Sequence, residues 1–123
     1  MSQETIFTKI INREIPADII YEDELSLAFR DINPQAPFHV LIIPKKGIAT
    51  SNDITEEDAR IVGRRDVGAA KIAKQQGFAE DGFRVVMNCN EHGGQTVYHI
   101  HLHMLAGKIM GWPPYQNKTK GLL

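Results

Sequence analysis

Apolar residues recur along this chain in two rhythms, one helical and one strand-like. Ile6, Phe7, Ile10 and Ile11 fall on one side of a helical wheel and Pro16 stops the pattern, which predicts a short opening helix. Asp18-Ile19-Ile20-Tyr21 and Leu25-Ser26-Leu27-Ala28-Phe29 flank the acidic Glu22-Asp23-Glu24 and predict a hairpin. Asn33-Pro34-Gln35-Ala36-Pro37 is a turn rich in chain breakers, followed by the strand-like Phe38-His39-Val40-Leu41-Ile42-Ile43 and its stop, Pro44. Thr55-Glu56-Glu57-Asp58 has the form of a capping box, with Asp where Glu or Gln is usual, and opens the longest helix, which runs to Gly77 as its C-cap. Ala59, Val62, Ala69, Ala70 and Ala73 supply the apolar stripe of that helix, and Arg64, Arg65 and Asp66 are expected to face solvent. Phe83 to Cys89 and Val97 to Leu105 read as two long strands, paired antiparallel across Asn90-Glu91-His92-Gly93-Gly94-Gln95-Thr96.

This order lacks the regular alternation of a doubly wound sheet, so the expected class is α+β: an antiparallel meander with a short N-terminal helix and one longer helix. The 123 residues suit one domain with one core. With 42% hydrophobic and 24% charged residues the composition is that of a globular chain. Fourteen Lys and Arg stand against 15 Asp and Glu, so no global field would hold the protein to nucleic acid or to an anionic membrane. Recognition of phosphate would have to be local. No apolar run is long enough to span a bilayer, the first residues lack the pattern of a secretory leader, and the single Cys89 can form no internal disulfide. A cytoplasmic setting is expected, with Cys89 as a small packed side chain rather than a reactive thiol.

The chemistry is concentrated in Tyr98-His99-Ile100-His101-Leu102-His103-Met104. On a strand, His99, His101 and His103 would line one face while Tyr98, Ile100, Leu102 and Met104 anchor the other. A row of imidazoles can bind a metal or carry out covalent catalysis. Geometry limits the first, because at a rise of about 3.3 Å per residue the outer two Cα atoms lie roughly 13 Å apart, too far to share one ion easily. A third ligand could come from His39 or His92, but the segment carries no adjacent carboxylate to orient the rings. Metal-free chemistry is therefore favoured, with the middle histidine as nucleophile and its neighbours managing protons. Phosphorus is an apt electrophile, since phosphoryl transfer is mainly a problem of positioning and charge neutralisation. In the preceding loop, Gly93 and Gly94 let backbone approach an anion, and the Gln95 amide and Thr96 hydroxyl can donate to it.

His99-Ile100-His101-Leu102-His103-Met104-Leu105 resembles the His-φ-His-φ-His-φ-φ motif of the histidine triad (HIT) superfamily. Thr5-Ile6-Phe7, Lys9-Ile10-Ile11, Glu14-Ile15-Pro16-Ala17, Phe29-Arg30-Asp31-Ile32, Pro34-Gln35-Ala36-Pro37, His39, Ile43-Pro44-Lys45-Lys46, Gly93-Gly94-Gln95-Thr96-Val97-Tyr98 and Trp112-Pro113-Pro114 resemble its Hint branch. The resemblance implies a single HIT domain over 1–123 with 106–123 as an extended tail. It also implies a homodimer that binds purine nucleoside monophosphates and hydrolyses their amine conjugates, with no cofactor and no metal. Dinucleoside polyphosphate hydrolysis, or nucleotide-dependent regulation of a partner with incidental catalysis, are the alternatives. Carried over by position, His101 would attack the α-phosphorus, and His99, His103 and His39 would orient it and relay protons. Asp31 would accept from the ribose hydroxyls, although as a residue type before Asn33-Pro34 it also suits a turn cap. Ile6, Phe7, Ile10, Phe29 and Ile32 would line the base pocket, while Asn88, Gly94, Gln95 and Thr96 would contact phosphate or the scissile group. Thr96 stands where many relatives carry Ser, the Arg64-Arg65-Asp66 run interrupts a helix that is more apolar in relatives, and nine residues follow Pro114 where some relatives stop.

Overall fold

The structure, a computed structural model, describes residues 4–115. Thr5 caps the opening helix α1 (Ile6–Ile11), its hydroxyl accepting from the backbone N–H groups of Phe7 and Thr8 while the Thr8 hydroxyl accepts from Thr5 N. Phe7 and Ile10 are the buried residues of this short helix. The hairpin follows as β1 (Ile19–Glu22) and β2 (Ser26–Arg30), then β3 (Phe38–Pro44), then the long helix α2 (Ala59–Gln76). The Asp58 carboxylate accepts from Thr55 N at 3.0 Å and from Lys46 Nζ at 2.7 Å, in a single 3-10 turn that leads into α2. Gly77, at φ 85°, ends the helix in the left-handed conformation expected of a C-cap.

The remaining elements are β4 (Arg84–Val86), a one-turn helix α3 (Asn90–Gly93) and β5 (Leu102–Ala106). All strand pairs are antiparallel, in the order β1-β2-β3-β5-β4. The meander holds from β1 to β3, and β5 then enters between β3 and β4. Strand alternation sorts the core into two layers. Ala28, Val40, Ile42, Leu102 and Met104 face α2, while Leu27, Phe29, Leu41 and Ile43 face α1. Gly68 brings α2 close to the sheet, since a Cβ there would sit 3.3 Å from the Tyr21 ring.

Three expectations fail in detail. The two C-terminal strands are shorter than Phe83–Cys89 and Val97–Leu105, and their connection includes a helical turn. Backbone partners explain the loss: Ile100 N–H bonds to Ile48 O, and the His99 carbonyl accepts from the His101 ring, so neither group is left for a ladder. On α2 the buried face is Arg65, Gly68, Ala69, Ile72 and Ala73, whereas Ala59 and Ala70 are exposed. Arg65 therefore packs inward instead of facing solvent, with only 3% of its surface exposed. Cys89 is half-buried and unpaired.

Past β5, residues 107–115 contain no helix or strand, and Arg84 holds them by donating to Gly111 O at 2.9 Å. The rest of the expected tail, 116–123, lies outside the described residues. Among the described residues no helix is long and apolar enough to cross a membrane.

Candidate active site

Two adjacent strands fix the first pair of imidazoles. β3 and β5 are in register Leu41↔His103, so His39 and His103 are diagonal neighbours on the face toward α1. Their facing nitrogens, His39 Nε2 and His103 Nδ1, are 2.9 Å apart. His99 and His101 precede β5 and are not strand residues, so the three triad histidines do not form the evenly spaced row that alternation predicts. Tyr98, expected to anchor the opposite face, is exposed. The turn at His99–His101 folds the row: the rings of His101 and His103 come within 5.1 Å, whereas His99 turns back to Pro44 at the end of β3.

The hydrogen bonds assign every tautomer in this group. A carbonyl can only accept, so His99 Nε2 donates to Pro44 O at 2.7 Å and His101 Nδ1 donates to His99 O at 2.7 Å. His101 is left with its lone pair on Nε2. The backbone N–H of Gln35 donates to His39 Nδ1 at 3.0 Å, so His39 carries its proton on Nε2 and passes that hydrogen bond to His103 Nδ1. His103 consequently presents Nε2–H. Burial is the first cause lowering the proton affinity of His39, His99, His101 and His103, and His103, beside two other imidazoles, is lowered to about 4. All four rings are neutral at pH 7, which this chain of donors requires.

Between α1 and the sheet lies a cleft of about 590 Å³. Its apolar walls include Ile6, Phe7, Ile10, Phe29 and Ile32, the five residues expected to hold a base, and its polar end brings together Asp31, Thr96, His101 and His103. Phe7 joins the two ends, its ring lying edge-on to Phe29 at 5.5 Å and to His101 at 5.1 Å. Asp31 takes the turn-cap role, Oδ1 accepting from Asn33 N at 2.8 Å, while Oδ2 lies 3.4 Å from His39 Nε2. Sequence reasoning missed Ile15 to Asp18, which also line the cleft. The signal was available in Ile15-Pro16, where Pro reads only as a helix stop while the apolar residue before it turns inward.

The remaining expected residues lie behind the cleft and do not line it. Gln95 is buried and fully engaged: its side chain accepts from Asn90 N and donates to Ala49 O and Val97 O, and its own N–H bonds to Asn90 O. It builds the loop and has no amide proton to spare for phosphate. Gly94, at φ 82°, supplies the left-handed turn that ends α3, and Asn88 packs beneath Gly93. Neither lines the cleft, nor do the rings of His99 and His39. The His99 imidazole holds the chain to β3, and it is the His99 carbonyl that orients His101.

One cluster has a metal-ligand pattern, because donor atoms of Asp31, His39 and His103 lie within 4.8 Å of one another and so supply the carboxylate that the histidine segment lacks. Its hydrogen bonding opposes that use. With Gln35 N–H aimed at His39 Nδ1, a metal on Nε2 would leave the ring without the proton that bond to His103 needs.

Comparison with known proteins agrees with this geometry. Residues 12–110 match the model of the HIT domain. The purine nucleoside phosphoramidase of Escherichia coli (strain K12) is 60% identical over 111 residues, which are 90% of this chain and 93% of that protein. Among solved structures, a HIT family hydrolase from Legionella pneumophila Philadelphia 1 superposes with a TM-score of 0.89 at 52% identity, covering 91% of this chain and all of that one. A histidine triad nucleotide-binding protein from Candida albicans gives 0.76 at 30% identity, covering 97% and 90%. The match to the HIT domain over most of its length, with 60% identity to a full-length relative, places the chain in the HIT family.

Proposed function

We propose that this protein is a purine nucleoside phosphoramidase of the Hint type, hydrolysing the P–N bond of AMP or GMP conjugates. The observation that carries the reading is the state of His101: its Nδ1 proton is committed to His99 O, so a neutral ring offers Nε2 as a nucleophile at the polar end of an apolar cleft. The base lies between the apolar walls, Asp31 accepts from the ribose hydroxyls, and the α-phosphorus sits against His101. Attack forms the Nε2–P bond and breaks P–N. The leaving nitrogen takes a proton from water at the mouth of the cleft, while the neutral His103 ring donates a hydrogen bond from Nε2–H to the departing group and keeps its proton. The nucleotidylated His101 ring then carries a positive charge. Water next attacks phosphorus, gives up one proton to solvent, and releases the nucleotide and free, neutral His101.

Mixing the protein with an AMP–amine conjugate and quenching early should reveal an AMP adduct on His101 by mass spectrometry. His101→Ala should lower turnover at least about 10³-fold while retaining AMP binding. Undiminished activity in that variant would remove His101 as the nucleophile. A clear preference for diadenosine polyphosphates would assign the other enzyme class, and binding without turnover would leave the regulatory role.

The same reading includes a homodimer in a cytoplasmic setting. It is supported by the outer edge of β4, which has no strand beside it among the described residues and carries the exposed Val85 next to the exposed Phe83, and by the exposed Val67 on α2. Light scattering at micromolar concentration tests it, with a monomer mass as the contrary result.

A further inference from the structure

The catalytic face of the sheet continues beyond the base cleft. Opposed residues of an antiparallel pair share a face, so the pairs His39↔Leu105, Arg84↔Leu105 and Val86↔His103 put Arg84, Val86 and Leu105 on the side that carries His39 and His103. A second cavity, of about 460 Å³, lies there. Val86 and Leu105 form its floor, and its walls include Gln35, whose N–H bonds to His39, together with Lys108 of the 107–115 segment. Arg84 and Lys108 are its charged residues, and no acid lines it. Asp81 borders a separate cavity beside them, and among the described residues neither cation stands in an ion pair. Arg84 is held in place from two sides: Nη2 donates to Gly111 O at 2.9 Å, and the guanidinium lies 6.0 Å from the centre of the Trp112 ring. The bond to Gly111 occupies one of its three nitrogens.

We propose that this cavity receives the amine half of the conjugate and that Arg84 makes it favour amines carrying a carboxylate, an inference that rests on the phosphoramidase reading above. The base lies over β2 and β3, against Phe29 and Leu41, and phosphorus lies at His101. His103 on β5 donates to the leaving nitrogen, so what that nitrogen carries extends over β4. Arg84 waits there as the diagonal neighbour of His103, one strand over and two residues along, at a spacing of about 7–8 Å. A short amine and an arginine side chain together span that distance. A guanidinium meets a carboxylate through charge-assisted hydrogen bonds, whereas a second ammonium on the amine would face two like charges. Because Arg84 is half-buried and water reaches the cavity, the preference is about 5-fold, the size of a partly exposed ion pair.

The test is to measure kcat and KM for the AMP phosphoramidates of β-alanine, β-alaninamide and 1,3-diaminopropane with wild-type protein, Arg84→Met and Arg84→Lys. The three amines match in length and differ in terminal charge. In the wild type KM is expected to be about 5-fold lower for the β-alanine conjugate than for the neutral amide and highest for the diamine, with kcat alike within about twofold. Arg84→Met should bring the β-alanine and β-alaninamide values together, and Arg84→Lys, which keeps the charge, should restore the preference. Loss of the Gly111 anchor alone would raise all three KM values together in both variants, and that outcome, or equal KM values in the wild type, would overturn the assignment. Calorimetric titration of His101→Ala with the β-alanine and β-alaninamide conjugates separates the two proposals. Tighter binding of the carboxylate that Arg84→Met cancels in the same background would sustain the amine subsite even if the wild type hydrolysed no conjugate, and equal binding would sink it even if hydrolysis stands.

Discussion

Under α2, an 18-residue helix covers Val40, Ile42, Leu102 and Met104 almost completely. On the reverse face of the same strands, a six-residue helix covers Leu27, Leu41 and Ile43 and leaves the cleft open beside His39 and His103. The strands cannot account for the difference, since each contributes to both faces by simple alternation. What differs is the length of the cover. A long helix with small residues at Gly68, Ala69 and Ala73 settles close to the sheet and seals it, whereas α1 is stopped at Asn12, and the chain from Ile15 to Asp18 lines the resulting gap.

The largest expected effect tests whether stability resides in the sealed face. Ile72 is 1% exposed at the centre of that layer, and Ile72→Ala should cost about 2–5 kcal/mol in urea denaturation. KM measured well below the melting temperature should stay unchanged. A raised KM at full folding would show that the faces are coupled and would break the comparison.

The sealed face was also the more legible one. Leu102 and Met104 alternate visibly with His101 and His103, and the capping pair Thr55 and Asp58 with Gly77 marks both ends of α2. The failures there came from single residues: composition assigned Arg65 to solvent and Ala70 to the core because no local rule records which way a helix is rotated. On the open face the residue types could be read but not their arrangement. His39, His103 and Asp31 are joined by strand pairing across 64 residues, which periodicity does not encode. The turn at His99–His101 looked like a strand because its side chains alternate. Its backbone bonds go to Ile48 and to the His101 ring, and such bonds leave no trace in a hydrophobic pattern.

A smaller effect sharpens the electrostatic side of the contrast. The four imidazoles of the open face are all harder to protonate than in an unfolded chain, where their ordinary value is 6.5. As pH falls below that value the unfolded state takes up protons and the native state does not, so stability decreases from about pH 6.5 down to about pH 4, where His103 itself protonates. Its share is on the order of 2 kcal/mol once its partial exposure is discounted. Glu22, Asp23 and Asp58 are shifted below their ordinary 4.5 and 3.8 and lose their contribution only at lower pH, so melts between pH 6.5 and 5 isolate the histidines. His103→Asn should flatten the slope in that window, and an unchanged slope would contradict the neutral network.

The smallest effect concerns the charge of Arg65, enclosed beneath α2. Among the described residues Arg65 Nη1 has no hydrogen-bond partner, and the other nitrogens make only long contacts, 3.5 Å to Met87 Sδ and 3.5 Å to Val62 O. Desolvation is the first cause lowering its proton affinity, and the nearby Asp66 opposes it only in part. A buried cation without a close anion loses hydration that its surroundings do not return, so a flexible apolar side chain of similar length should fit better. Arg65→Met is expected to raise stability by about 1 kcal/mol in thermal or urea melts, with kcat unaltered. If the substitution instead destabilises the protein, the guanidinium has an anchoring role, and the face under α2 is less simple than its apolar lining implies.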